Sequence, residues 1–368
     1  MRKDLTRMKL RISMNVKKIE GPYGGVNQFA NTLEEYLRNK GHEVFRKLVP
    51  NLDLILIVSS QDDLNTTTYD IESIINYTTL NPNTVVVQRV NSCDDSRGSN
   101  LGINEATLKA NHVADYTVFI SSFVRDLFAR KGMDIGKPNC VILNGADEEI
   151  FNPSERAEWS PGQKLRIVTH HWSSNYMKGF DVYERLDQLL EIEPFRGLFE
   201  FSYIGNIPTG VNFKNTKIVT PIAGISLASS LKQHHVYLTA ARNEAGGMHH
   251  VEGMRCGLPV LYLHSGALSE YCAPYGIEFT LINFEEKLLE MHSRFPELRD
   301  KVLECPYTGT WMSTQYEKVF LQLVAERRAN PRPGPGLMKA LKVRLVAWPY
   351  RKLKRFQELG KKAVRYLQ

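Results

Sequence analysis

Short apolar runs alternate with amphipathic stretches along the first 150 residues of the chain. The apolar runs predict buried β-strands, because each is short, rich in Val, Ile and Leu, and bounded by polar residues. They lie at residues 10–16, 54–58, 84–87, 116–120 and 140–143. Apolar residues at helical spacing between most of these runs, as from Val26 to about Asn39, predict the connecting helices. Such alternation favours a parallel sheet covered by helices.

The same alternation starts again after residue 164. Residues 151–164 are polar and contain Pro and Gly, a composition typical of a linker. Further strands are predicted at residues 165–169, 199–204, 216–219, 236–239 and 260–263. We therefore expect an α/β protein with two Rossmann-like domains, at 1–150 and 165–310, that face each other across a cleft. The periodic stretch at 311–328 predicts a helix that crosses back to the first domain.

The stretch 241–260 carries the most specific chemistry. Glu244 lies in the loop after a predicted strand, Gly246-Gly247 precede a predicted helix that begins near Met248, and Glu252 lies about one turn inside it. A helix N-terminus favours an anion such as phosphate, and glycines let the ligand approach the backbone. Two carboxylates can accept hydrogen bonds from the paired hydroxyls of a polyol. Anion and polyol together suggest a nucleotide sugar, although this stretch taken alone favours an ordinary strand–helix unit with two surface glutamates.

Composition narrows the class of protein. With 368 residues, 42% hydrophobic and 24% charged, the chain resembles a soluble globular protein. It has no apolar run near the roughly 20 residues that cross a bilayer, and its start lacks the apolar core of a signal peptide. The five cysteines are scattered and form no CxxC pair. We therefore expect a cytoplasmic protein without disulfides, a structural zinc site or a bound metal.

The net charge of +7 is concentrated at the C-terminal end. Residues 329–368 contain eleven Lys and Arg and one acid, so the rest of the chain is close to neutral. A nearly neutral body argues against nucleic acid as a partner. In the tail, apolar residues such as Leu341, Trp348 and Phe356 recur among the basic ones. That pattern favours an amphipathic helical tail on an anionic membrane surface; a tail packed on the body, or a disordered one, is the alternative.

Several motifs resemble, in order and spacing, those of the GT-B glycosyltransferases of family 4, a retaining group that includes many bacterial sugar transferases. They are Gly24-Gly25; Asn144-Gly145-Ala146-Asp147 with Phe151-Asn152-Pro153; Lys178-Gly179; Glu244 and Glu252 with seven residues between them; and Cys256-Gly257-Leu258-Pro259-Val260. The resemblance covers about residues 9–326. It implies the GT-B fold, with the donor bound by the second domain and the acceptor by the first.

The resemblance also implies roles for the second-domain residues. Glu252 would hold the ribose hydroxyls of the donor, Glu244 would hold hydroxyls of the transferred sugar, and Lys178 would neutralise the diphosphate leaving group. The helix start would assist with its backbone N–H groups, at Gly246, Gly247, Met248 and His249. Gly24 and Gly25 would let the first-domain loop close over the phosphates or the acceptor.

The chain departs from the family pattern before Lys178. An arginine that usually shares the diphosphate is missing there, and His170 and His171 stand in the same stretch. Histidine can donate a hydrogen bond to phosphate, and carries charge if protonated. Either a weaker hold on the diphosphate or a different donor would follow. Packing of both histidines at a strand end is the alternative.

Polar residues crowd the end of the strand predicted at 84–87. Arg89, Asn91 and Asp94 are candidates for contact with the sugar or the acceptor, because this strand end is expected at the cleft. Glu270 stands where the family has a glutamate that aids nucleotide binding. A helix-capping role for Glu270 is equally open.

These observations predict a retaining glycosyltransferase that moves a hexose from a nucleotide-diphosphate sugar to a glycan or lipid-linked acceptor, without a metal or other cofactor. Surface polysaccharide or glycolipid synthesis at the inner face of the membrane would suit the basic tail. Two alternatives remain open: a nucleotide-sugar epimerase of the same fold, and a non-catalytic nucleotide-sugar-binding protein.

Overall fold

Two parallel six-stranded sheets form the framework of the protein. The computed structural model describes residues 8–19, 24–61 and 65–334, and the predicted basic tail lies almost wholly outside them. The strands are β1 (Arg11–Met14), β2 (Glu43–Phe45), β3 (Leu54–Ile57), β4 (Val85–Val90), β5 (Tyr116–Phe119), β6 (Asn139–Val141), β7 (Leu165–His171), β8 (Phe199–Gly205), β9 (Lys217–Val219), β10 (Val236–Thr239), β11 (Val260–Leu263) and β12 (Gly276–Phe279).

Helices cover both sheets, as the alternating pattern predicts. They are α1 (Gly25–Asn39), α2 (Ile71–Leu80), α3 (Ile103–Asn111), α4 (Ser122–Arg130), α5 (Phe180–Leu189), α6 (Phe195–Leu198), α7 (Gly224–Lys232), α8 (Met248–Arg255), α9 (Leu268–Cys272), α10 (Phe284–Lys301) and α11 (Gly309–Ala329). The expected α/β architecture with two Rossmann-like domains is therefore confirmed. No helix in the described part of the chain is long and apolar enough to span a membrane.

The strand order places the carboxyl ends of β7 and β10 side by side. The second sheet runs β12-β11-β10-β7-β8-β9, so the connections leave β7 toward one edge and β10 toward the other. In open parallel sheets the crevice at such a reversal of strand order binds ligands. The first sheet runs β2-β1-β3-β4-β5-β6, with β1 paired to both β2 and β3. The residues after β7 and β10 are therefore those best placed to form a site.

Helix α11 follows the second sheet but packs on the first domain. Met312, Tyr316 and Phe320 are fully buried there, in the same core as Phe29 of α1. Thr308 caps the start of α11 by accepting a hydrogen bond from the Trp311 N–H.

Residue 145 is a glycine because the segment that leads back to the first domain, just before α11, passes directly against it. A Cβ atom at Gly145 would lie 2.0 Å from the carbonyl oxygen of Thr308, far inside van der Waals contact. The Gly309 N–H also donates to the Ala146 carbonyl. The segment that leaves the first domain and the segment that returns to it are therefore in direct contact through their backbones.

Candidate functional site

A cavity of about 310 Å³ lies between the two domains. All the site residues predicted from the sequence line it except Asp94 and Glu270: Gly24, Gly25, Arg89, Asn91, His170, His171, Lys178, Glu244, Gly246, Gly247, Met248, His249 and Glu252. They come from the carboxyl ends of β4 and β7, from the loops after β1, β4, β7 and β10, and from α1 and α8. The fold thus brings together side chains that are far apart in sequence, at the carboxyl edges of both sheets.

The N-terminus of α8 faces the cavity without a side-chain cap. Gly247 is the N-cap residue, and the first turn of α8 contains no acidic side chain. Gly246 adopts a φ of +138°, which favours glycine, and a Cβ there would lie 3.0 Å from both Ile120 and the Tyr271 hydroxyl. The positive end of the helix dipole is thus available to an anion in the cleft.

Lys178 and Glu244 form an ion pair on the second-domain wall. Their Nζ and Oε2 atoms are 2.8 Å apart, and the side chains are 19% and 8% exposed. Burial acts to raise the pKa of the Glu244 carboxyl, but the Lys178 ammonium holds that pKa below its usual value. Glu244 is therefore ionised at neutral pH, and Lys178 is already partly neutralised before any ligand binds.

Glu252 is held by a chain of hydrogen bonds that starts at Tyr237. The Tyr237 hydroxyl accepts the His170 N–H at 3.2 Å and lies 3.1 Å from His170 Nδ1. Burial raises the pKa of Tyr237, so its hydroxyl keeps a proton to donate to Nδ1. His170 Nε2 lies 2.8 Å from Glu252 Oε2, and because a carboxylate only accepts hydrogen bonds, Nε2 carries the hydrogen. The other carboxylate oxygen of Glu252 is left for hydroxyl groups of a ligand.

Three further histidines are packed ring against ring in this wall, and two of them, His171 and His249, line the cavity. The ring centroids are 4.8 Å apart for His171 and His249, and 4.9 Å for His249 and His250. Burial, together with the neighbouring basic groups, lowers the pKa of His171 and His249 well below the usual range. Both are neutral at pH 7, so they line the cleft without adding positive charge.

We expect acid to destabilise the fold through His250. Burial lowers the pKa of His250 to about 4, and neither ring nitrogen has a hydrogen-bond partner among the described residues. The unfolded chain binds a proton near pH 6.5 and the folded chain does not, so stability is complete above pH 6.5 and is lost as the pH falls toward 4, by up to about 3 kcal/mol from this group. Denaturant unfolding of His250→Leu, measured from pH 7 to pH 4, should lose less stability than the wild type by about that amount.

The exposed His112 provides the control for that measurement. His112→Leu makes the same substitution at an exposed position, so it controls for the loss of a histidine as such. An identical pH dependence in His250→Leu and wild type would contradict the assignment.

The first-domain wall carries glycines and arginines. A Cβ at Gly25 would lie 2.7 Å from Met248 Cγ, so the start of α1 approaches the start of α8 closely. Arg89 is 2% exposed; it donates to Asn144 Oδ1 at 2.8 Å and stacks over Phe29 at 3.8 Å. Asn91 lines the cavity beside it. This wall presents basic and amide groups opposite the two carboxylates.

Asp94 and Glu270 lie outside the cavity, and both carboxylates accept hydrogen bonds from N–H groups at the start of a helix. The Asp94 carboxylate accepts the backbone N–H groups of Leu101, Ile103 and Asn104 at the start of α3. Glu270 accepts hydrogen bonds from the Ser122 N–H and hydroxyl at the start of α4, across the domain boundary. Neither carboxylate has the position expected for contact with a donor or an acceptor.

Other residues of the site were not identified from the sequence. Tyr237 orients His170, and the Asn144 side chain connects Arg89 to the Gly246 carbonyl, to which it donates at 2.6 Å. Asn144 could have been predicted as a site residue, since it belongs to one of the motifs in the sequence analysis. Tyr237 could not, because it lies in an apolar strand and nothing in the sequence distinguishes it. Arg97, Trp172 and Ser173 also line the cavity.

Solved structures with the same fold are numerous, although no protein-family model and no curated protein matches the chain. Sucrose-phosphate synthase from Thermosynechococcus elongatus is 12% identical, with 87% of this chain and 100% of that chain covered and a TM-score of 0.63. HepE from Anabaena in complex with UDP-glucose is 13% identical (87% and 99% covered, TM-score 0.58). WaaG, described as a glycosyltransferase involved in lipopolysaccharide biosynthesis, is 12% identical (84% and 99% covered, TM-score 0.60). At these identities the likeness is one of fold, and that fold is GT-B.

Proposed function

We propose that the protein is a glycosyltransferase that binds a nucleotide-diphosphate sugar on the second-domain wall of the cleft. One observation carries the proposal: the uncapped N-terminus of α8, Lys178 and two buried carboxylates converge at the strand-order reversal of the second sheet. The helix end and Lys178 suit a diphosphate, and the carboxylates suit sugar and ribose hydroxyls. HepE, which has the same fold, was solved with UDP-glucose.

The proposed reaction is transfer of a hexose with retention of anomeric configuration. The bond between the anomeric carbon and the β-phosphate oxygen breaks, and its electron pair stays on that oxygen. An acceptor hydroxyl forms the new bond to the anomeric carbon, and its proton passes to the departing phosphate oxygen. Lys178 and the N–H groups at the start of α8 would stabilise the charge that grows on the diphosphate, which is the largest contribution such a site offers. In this proposal no metal is required.

Glu244 and Glu252 have separate roles in the proposal. Glu252, oriented by His170, would accept hydrogen bonds from the ribose. Glu244 would accept them from the transferred sugar, beside the Lys178 ammonium. His171 and His249 would contribute neutral hydrogen-bonding groups and not charge, because burial lowers the pKa of each.

The acceptor is proposed to be a glycan or lipid-linked molecule that enters from the first-domain side, in surface polysaccharide or glycolipid synthesis. Asn91, Ser92 and Ser96 on that wall suit a polar acceptor. WaaG, which has the same fold, is described as acting in lipopolysaccharide biosynthesis. A membrane role rests on the basic, apolar-patterned sequence after residue 334.

We expect removal of residues 335–368 to abolish binding to anionic vesicles and to leave donor binding unchanged. The cut spares Arg332, which contacts Asp115 and Asn83 of the first domain. Sedimentation with vesicles of phosphatidylglycerol and phosphatidylcholine, compared with phosphatidylcholine alone, measures the effect. Equal sedimentation of the full and shortened chains would remove the membrane part of the proposal.

A screen of nucleotides and nucleotide sugars by thermal shift tests the donor part. A ligand that binds the folded protein raises its unfolding temperature, and the rise grows with the ratio of ligand concentration to dissociation constant. We expect one nucleoside diphosphate and its sugar to stabilise the protein, and the corresponding base alone to do little. The absence of a shift with any base would contradict the proposal. Incubation with the active donor alone then distinguishes a transferase, which slowly releases nucleoside diphosphate, from an epimerase, which returns an epimer.

A further inference from the structure

The charges on the cleft walls do not match the proposed ligand. On the second-domain wall the charged side chains are Lys178, Glu244 and Glu252, so one positive charge faces two negative ones. The histidines do not correct this balance, since His171 and His249 are neutral and His170 is engaged with Glu252. Each phosphate of a diphosphate carries a negative charge. The second-domain wall is therefore net negative where an anion is proposed to bind.

Among the described residues that line the cleft, the excess positive charge comes from the first domain. The charged first-domain side chains there are Arg89 and Arg97, with no acidic one beside them. Arg89 is fixed below the surface, between Asn144 and the Phe29 ring, and its Nε and Nη1 are buried. Arg97 is exposed, and in the described part of the chain its guanidinium takes part in no hydrogen bond or ion pair. Arg97 is therefore the cation that is free to meet a ligand.

The loop that carries Arg97 rests on the loop that carries Lys178. Asn175 donates through its Nδ2 to the Arg97 carbonyl at 2.9 Å. Gly98, next to Arg97, has a φ of +65°, and a Cβ there would lie 3.0 Å from Met177 Cγ. Asn175 and Met177 are close neighbours of Lys178 in sequence, so the contact brings Arg97 to the side of the cleft where the diphosphate is expected.

We propose that Arg97 supplies, from the first domain, a second cation for the diphosphate of the donor. The inference rests on the proposed function and names the group that completes its leaving-group site. As the bond to the anomeric carbon breaks and its electron pair moves to the β-phosphate oxygen, Arg97 donates N–H groups to the phosphates from the first domain. The site would then be electrostatically complete only while the two domains are in contact.

The test compares nucleoside diphosphate with monophosphate binding in Arg97→Gln. Calorimetry with UDP and UMP, and likewise ADP with AMP and GDP with GMP, separates the contribution of the second phosphate. We expect the variant to bind the preferred diphosphate about tenfold to hundredfold more weakly, as for loss of a charge-assisted hydrogen bond, and to bind the monophosphate nearly as well as wild type. Arg130→Gln, an exposed arginine of α4 outside the cleft, should bind both as wild type does.

A relocated arginine provides the second arm. Ser173 lines the cavity on the Lys178 loop, so Ser173→Arg in the Arg97→Gln background places a guanidinium on the second domain instead. We expect the double variant to recover at least about a third of the lost diphosphate affinity. Ser173→Gln in the same background should recover none.

Two results would overturn the inference while leaving the proposed function intact: unchanged diphosphate binding in Arg97→Gln, or an equal loss for monophosphate and diphosphate. Failure of the wild type to bind any of the nucleotides would overturn the proposed function, and the inference with it. Because Arg97 is exposed and its guanidinium has no hydrogen bond or ion pair to lose in the described part of the chain, Arg97→Gln should fold as the wild type does.

Discussion

Lys178→Met should reduce the turnover of nucleotide sugar by about a thousandfold. Lys178 is the only charged donor on the second-domain wall among the described residues that line the cleft. Removal of one preorganised donor from a developing negative charge typically costs 100- to 1,000-fold, about 3–4 kcal/mol of barrier. Initial rates of nucleoside diphosphate release at saturating donor would measure the loss. A variant that keeps more than about a tenth of the wild-type rate would contradict the leaving-group role.

The same substitution should also lower stability, for a separate reason. It leaves Glu244 as a carboxylate that is 8% exposed and has lost its ion-pair partner. An unpaired buried charge costs about 3–5 kcal/mol. The double variant Lys178→Met/Glu244→Gln removes both charges, and we expect it to regain most of the stability but none of the activity. Urea unfolding of both variants therefore distinguishes the chemical effect from the structural one.

Glu244→Gln should damage transfer more than it damages nucleotide binding. The amide keeps the size of the side chain, but it loses the charge that would orient the sugar hydroxyls, so we expect turnover to fall about a hundredfold. The substitution also frees Lys178 from its ion pair and removes a negative charge from the wall. UDP, or whichever diphosphate the protein prefers, should then bind as well as before or up to about tenfold more tightly.

Glu252→Gln is the matched comparison, because Glu252 lies one turn inside α8, the helix that follows the loop of Glu244. It removes the proposed ribose acceptor and leaves the Lys178–Glu244 pair in place. We expect it to weaken diphosphate binding about tenfold or more, with a smaller effect on turnover at saturating donor. If Glu244→Gln weakened nucleotide binding more than Glu252→Gln did, the two roles would have been assigned the wrong way round.

Most of the framework was predictable because its strands are central. Strand β3 consists of four buried Leu and Ile residues. Such a short, continuous apolar run between polar residues predicts a buried strand. Two strands at or near sheet edges were missed. Strand β2 spans three residues of which one is buried, and β12 begins at a glycine and alternates buried with partly exposed residues. Short strands of this kind are fixed by their neighbours more than by their own sequence.

The site was predictable where a residue type and its spacing already specify the chemistry. Glu244, Glu252 and Lys178 were identified in this way. That Lys178 pairs with Glu244, 66 residues away, depends on the adjacency of β7 and β10. The roles of Asp94 and Glu270 could not be predicted in this way, because a carboxylate near a strand end is equally suited to bind a ligand or to cap a helix N-terminus. Arg97 had no local signal, because only the contact between the two domains brings it to the cleft.

Release of nucleoside diphosphate from a nucleotide sugar tests the central claim most directly. The wild type should release nucleoside diphosphate from one donor, faster when a suitable acceptor is added, and Lys178→Met/Glu244→Gln should not do so above the uncatalysed rate. Recovery of an epimerised donor with no release, or undiminished release by the double variant, would contradict the account.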